Sequence, residues 1–139
     1  MSCAMVIDCS ITMAWCFGDE ATVGAARVQD RLEKDAALVP AHWFLEVTNV
    51  LAMAERRKRI TAAASLDFLT FLEAMDIQVD EEPARRAFSH LLPLCRQHGL
   101  TSYDAAYLDL ALRRRLPLAT LDDDLRSAAR QLGLEVLGR

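Results

Sequence analysis

The chain has 139 residues, enough for one domain with a real hydrophobic core that needs neither disulfides nor a structural metal. Hydrophobic residues make up 53%, yet no apolar run approaches the roughly 20 residues that cross a bilayer. This excludes a membrane-spanning protein and predicts that some apolar surface is buried against a partner. The formal net charge of -4 excludes a protein that coats nucleic acid through bulk positive charge, although local basic patches remain open. Lys34 and Lys58 are the two lysines; every other cation is an arginine, which suits bidentate phosphate contacts.

Met1 to Asp8 has no positive leader and its apolar stretch is cut short by an acid, so a cytoplasmic protein is expected. Ala4 to Ile7 predicts a buried strand that ends in the carboxylate of Asp8, with Ser10 just beyond. Cys3, Cys9, Cys16 and Cys95 form no C-x-x-C pair and read as reduced core fillers. Ile11 to Phe17 predicts a brief helix, Gly18 to Glu20 a break, and Ala21 to Lys34 a longer amphipathic helix.

Ala36 to Val39 is a second strand, and Pro40 is placed to open a helix over Ala41 to Lys58. Trp43, Phe44, Val47, Val50, Leu51 and Ala54 are expected to form its core-facing stripe. At 100° per residue, Glu46 stands only about 40° from Val50, at the shoulder of that stripe, with Asn49 further round. An acid there needs a reason. A fourth helix follows from Thr61 to Met75, then a third strand from Ile77 to Val79.

Pro83 is expected to start a fifth helix that stops at Gly99. Thr101-x-x-Asp104 approximates a capping box for a sixth helix through Arg114. Pro117 to Thr120 is a fourth strand, Asp123 to Leu132 a seventh helix, and Leu134 to Leu137 a fifth strand. The alternation predicts an α/β fold: a three-layer α/β/α sandwich on a short, mainly parallel five-stranded sheet, forming one domain over residues 1–139.

Asp122, Asp123 and Asp124 stand in a row after the fourth strand. Two unit charges about 4 Å apart repel by about 1 kcal/mol in water and about 4 kcal/mol at an effective dielectric near 20. The functional crevice of a parallel sheet lies beyond the carboxyl ends of its strands, where both Asp8 and Asp122 fall. Each acid also has a structural alternative: Asp8 and Asp122 can cap helices, Asp104 can complete a capping box, and Glu46 can simply reach solvent. Four converging carboxylates, however, require a cation. Oxygen donors without Cys or His nearby point to Mg2+ or Mn2+, and such metals serve phosphodiester hydrolysis.

Val6-Ile7-Asp8-Cys9-Ser10, Glu46 with Asn49, Leu100 to Leu108 and Leu118 to Leu125 resemble, in order, the motifs of the PIN-domain nucleases, and more narrowly the VapC-type toxins of bacterial toxin–antitoxin pairs. The resemblance spans essentially the whole chain. It implies a Mg2+- or Mn2+-dependent endoribonuclease whose metal-binding, catalytic acids are Asp8, Glu46, Asp104 and Asp122. Ser10, Thr120, Asn49 and Asp124 would assist them, and cleavage would leave a 5′-phosphate and a 3′-hydroxyl. It further implies a homodimer neutralised by a cognate antitoxin.

Arg56-Arg57-Lys58-Arg59 and Arg113-Arg114-Arg115 sit at predicted helix C-termini, where cations offset the helix dipole. Arg56, Arg57, Arg113 and Arg114 are also candidates for RNA contact. His42, His90 and His98 read as surface or helix-end residues, and Trp15, Trp43, Tyr103 and Tyr107 as mostly core aromatics. Three rivals stand beside the toxin: a PIN-type nuclease of RNA processing or of DNA, a non-catalytic receiver-like module, and a binding module whose acids are all caps. A receiver would need a lysine after its last strand, and Lys34 and Lys58 are both elsewhere.

Overall fold

The computed structural model describes residues 2–82 and 84–139. Five strands, β1 (Cys3–Ile7), β2 (Ala36–Pro40), β3 (Ile77–Asp80), β4 (Leu118–Ala119) and β5 (Val136–Leu137), join in the order β3-β2-β1-β4-β5. Every pairing is parallel. Seven α-helices among the described residues cover both faces: α1 (Cys9–Ala14), α2 (Val23–Arg31), α3 (Trp43–Arg56), α4 (Ala62–Glu73), α5 (Leu92–His98), α6 (Ser102–Arg114) and α7 (Asp123–Gln131). No described helix is long and apolar enough to cross a membrane.

The central strands are apolar on both faces because helices cover both. Met5, Val6 and Ile7 are fully buried, as is every residue of β2. The edge strand β3 is only half-covered, and its apolar Val79 is its most exposed residue. Sequence order reverses between β1 and β4, where Val6 aligns with Leu118 and Ile7 with Ala119. That reversal opens the crevice in which an open parallel sheet binds its ligands.

Local chemistry sets the helix boundaries. Asp8 caps α1, so this helix starts at Cys9, two residues earlier than the apolar pattern suggests. Thr22 caps α2 and shortens it to Val23–Arg31 against the expected Ala21 to Lys34. Helix α3 begins at Trp43 after His42, whose side chain makes no cap. The predicted start at Pro83 lies outside the described residues; beyond it a π-helical turn, Ala87–Leu91, leads into α5. Gly99 ends α5 at φ 66°, a left-handed turn that costs glycine little. The four cysteines are unpaired and half-buried, packed against the core.

Candidate active site

Asp8 leaves β1 at its carboxyl end and is 3% exposed. Its Oδ1 accepts hydrogen bonds from the Ile11 N–H at 3.0 Å and the Ser10 hydroxyl at 2.7 Å. The Thr120 hydroxyl donates to its Oδ2 at 2.5 Å. Each hydroxyl also accepts: Ser10 Oγ from the Leu121 N–H at 2.8 Å, Thr120 Oγ1 from the Asp122 N–H at 3.0 Å. The single proton of each hydroxyl is thus directed at Asp8, which splints the end of β1 to the turn after β4. Arg126, which is buried, donates to the Thr120 carbonyl at 2.8 Å and holds that turn from behind.

Asp122 caps α7, its Oδ1 accepting from the Leu125 N–H at 2.8 Å. Capping occupies one oxygen of the carboxylate and leaves the other, so the cap and the site readings of Asp122 are compatible. Thr101 caps α6 by accepting from the Asp104 N–H at 3.2 Å. The expected box is only half made: among the described residues the Asp104 carboxylate accepts no hydrogen bond in return. It stands in the first turn of α6, where the helix dipole favours an acid.

Glu46 lies in the first turn of α3 and is half-buried. The Tyr107 hydroxyl donates to its Oε1 at 2.5 Å, and His42 Nε2 lies 3.5 Å from the same oxygen. His42 Nε2 is also 3.0 Å from the Tyr103 carbonyl. A carbonyl can only accept, so this nitrogen carries the ring proton. Burial together with Glu46 pushes the Tyr107 hydroxyl well above the usual phenol range, which keeps it a donor.

The electrostatics join these acids into one group. Burial pushes the Asp8 carboxyl from 3.8 up to about 6, against the pull of the Thr120, Ile11 and Ser10 hydrogen bonds, and the charge of Asp104 adds to the rise. Burial, followed by the charges of Asp122, Glu46 and Asp124, raises Asp104 to about 6 as well. Burial, Glu46, Asp8 and Glu20 drive the Cys9 thiol up to about 12, which keeps it neutral. Among the described residues, no arginine or lysine contributes to any of the three.

This observation tests whether a divalent cation fits. The donors are all oxygens, they repel one another, and no arginine or lysine among the described residues offsets the rise at Asp8 or Asp104, a donor set suited to Mg2+ or Mn2+. The arrangement is open rather than closed: among the described residues, no three His, Cys, Asp or Glu side chains already stand around one point. The acids are gathered at one end of the sheet without being drawn to ligand distances.

The sequence profile of the PIN domain family matches residues 5–131. The chain belongs to the PIN-domain family. Among solved structures this PIN domain is similar to PAE2754 from Pyrobaculum aerophilum, at 24% identity and a TM-score of 0.72, covering 98% of this chain and 92% of that one. It is similar also to VapC20 of Mycobacterium tuberculosis, a Sarcin-Ricin loop cleaving toxin, at 17% identity and a TM-score of 0.66, covering 90% and 95%. The third is a toxin–antitoxin complex from Klebsiella pneumoniae, at 13% identity and a TM-score of 0.58, covering 86% and 87%. At these identities the likeness is one of fold. No curated protein matches the sequence.

The remaining sequence candidates of this PIN domain fall in different places. Asp124 is exposed at the start of α7, close enough for its charge to act on Asp104. Asp123 is exposed and pairs with Arg139. Asn49 is exposed on α3, and its side chain makes no hydrogen bond among the described residues. Arg56 and Arg57 are exposed where α3 ends. Arg113 differs from the expectation of an RNA-facing cation. It is bound to Asp80 at 2.7 Å, Asp109 at 3.0 Å and Glu82 at 3.3 Å, so its charge is consumed within the protein. Arg114 remains half exposed, with Asp80 at 4.0 Å.

Sequence reasoning read Tyr107 as core and His42 as a surface or helix-end residue, which its place at the start of α3 matches, and it passed over Arg126. Tyr107 is core by its ring and polar by its tip, a duality that periodicity cannot display. For Arg126 a signal existed: a lone arginine between Leu125 and the alanine pair Ala128 and Ala129, on the buried face of α7.

Proposed function

We propose that this PIN domain is a divalent-metal-dependent endoribonuclease and the toxin of a toxin–antitoxin pair, acting in the cytoplasm as a single domain over residues 1–139. The observation that carries the reading is the acidic cluster at the strand-order reversal, in which no arginine or lysine among the described residues offsets the raised Asp8 and Asp104. Asp8, Glu46, Asp104 and Asp122 would hold Mg2+ or Mn2+. When bound, that ion supplies an activated water and stabilises charge on the phosphate oxygens during phosphodiester hydrolysis.

The chain's own residues prepare the site. Ser10 and Thr120 point their protons at Asp8 and fix both of its oxygens. Asp122 is held by its role as a cap, and Asp124 adds to the field without being buried. Deprotonation of Asp8 and Asp104 must precede cation binding, so activity should rise with pH through about 6. Exposed Arg56, Arg57 and Arg114 are the candidates for phosphate contact in an otherwise net-acidic chain.

The toxin role draws support from VapC20 and from the Klebsiella toxin–antitoxin complex, whose fold this chain resembles. Exposed Phe44 and Leu45 on α3, and exposed Phe88 and Leu92 around the start of α5, support apolar surface that a second copy and an antitoxin would cover. The deciding experiment incubates the protein with total RNA and Mn2+, with and without chelator, and maps the new 5′ ends. Cleavage stopped by chelator, and reduced more than about a hundredfold by Asp104→Asn, is expected; the loss of a cation ligand should exceed the 10–100-fold that outer partners cost. Full Mn2+-dependent cleavage by Asp104→Asn would sink the assignment.

A further inference from the structure

We infer that Tyr107 is a positioning residue of the acidic site, fixing the Glu46 carboxylate for a divalent cation through a hydroxyl that the core itself holds still. The inference rests on the metal-site reading above. A glutamate side chain has three rotatable bonds, and that of Glu46 is 30% exposed, so packing alone does not select one orientation. Tyr107 has no such freedom. It is 1% exposed, set among the core side chains of α6, and its hydroxyl reaches 61 residues back along the chain to Glu46 Oε1.

The placement of Tyr107 gives the contact its use. Asp104 and Tyr107 are three residues apart on α6, hence on one face of one helix. The helix that carries Asp104 therefore also grips Glu46 on α3, and one rigid element fixes both carboxylates. His42 adds a second tie between the same helices: its Nε2–H donates to the Tyr103 carbonyl, and its ring packs edge-on to Tyr107 at 5.0 Å. Oε1 accepts that donor, and Oε2, which accepts no hydrogen bond among the described residues, is the less engaged oxygen of Glu46 for a cation. A hydrogen bond to one oxygen of a ligating carboxylate is the kind of outer contact that sets metal affinity.

The test measures Mn2+ binding directly, from the free-ion electron paramagnetic resonance signal during titration, on wild type, Tyr107→Phe, Glu46→Gln and the double variant. Tyr107→Phe keeps the ring and removes one oxygen; circular dichroism and melting without metal establish that each variant is folded. Tyr107→Phe should weaken Mn2+ binding about tenfold. The double variant should bind no more weakly than Glu46→Gln alone, because Tyr107 acts through Glu46. A purely structural tyrosine would instead lower the metal-free melting temperature and leave Mn2+ affinity unchanged. Wild-type affinity in Tyr107→Phe, or losses that add in the double variant, overturns the inference while the metal site stands. A wild type that binds no Mn2+ overturns the site and the inference together.

Discussion

Two acidic clusters lie at the carboxyl ends of the strands, and they differ in one respect. Around the end of β3, Asp80, Glu82 and Asp109 are met by Arg113, and Asp109 also by Arg86 at 2.9 Å. Beyond β1 and β4, Asp8, Asp104 and Asp122 meet hydroxyls, backbone N–H groups and one another. Counting acids would give the clusters similar weight. The missing counter-charge separates them: the first is a closed ion-pair network, the second an electrostatic debt that folding leaves open. A structural acid is satisfied by its own chain, whereas a ligand-binding acid waits for something from outside.

The largest expected effect comes from opening the closed cluster. Arg113→Met leaves Asp80 with only the 4.0 Å contact to Arg114 and Asp109 with Arg86 alone, so it should destabilise the fold by about 3–5 kcal/mol in urea unfolding. The same variant should keep the thermal stabilisation that Mn2+ gives the wild type. Loss of that response would mean that the two clusters are one system.

Next comes the pH dependence of the open cluster. Asp8 holds its proton more tightly folded, at about 6, than at its ordinary 3.8, so the folded state binds the extra proton between those values. Its contribution therefore favours folding below about pH 4, is lost as pH rises through about 6, and is flat above. A two-unit rise corresponds to about 3 kcal/mol. The stability gap between metal-free wild type and Asp8→Asn should change by about that amount from pH 4 to pH 7, and saturating Mn2+ should flatten it. A gap independent of pH would place a counter-charge beside Asp8 after all.

The smallest effect concerns the arginines. Arg114→Glu should reduce the salt dependence of RNA binding by about one unit of slope if Arg114 meets a phosphate, whereas folded Arg113 variants should leave the slope alone. Equal slopes for wild type and Arg114→Glu would remove Arg114 from the RNA surface.

Much of the architecture was legible because buried parallel strands leave a plain trace: Ala4 to Ile7 and Ala36 to Val39 are apolar at every position, as two covered faces require. The acids were legible for a related reason. Asp8 and Asp122 interrupt apolar segments, and Glu46 sits where a core stripe begins to turn outward. The fate of each charge was hidden, since it depends on partners remote in sequence. Arg113 looked like its neighbour Arg114, and only the fold brings it to Asp80 and Glu82, 33 and 31 residues away. The starts of α1 and α2 each shifted by two residues because Asp8 and Thr22, rather than the apolar pattern, decide where backbone donors are satisfied.

The hydrogen bond from Thr120 to Asp8 joins residues 112 apart. The strand at the centre of the sheet is the first of the five in chain order, and its neighbour β4 is the fourth, so β1 must wait for more than a hundred further residues before its second edge is paired. Contacts of such long sequence separation form late and slowly, because the intervening loop must close first. A nascent chain that ends before β4 has Asp8, Glu46 and Asp104 but lacks Thr120 and Asp122. The order in which the protein is made thus withholds its acidic site until the last strands arrive.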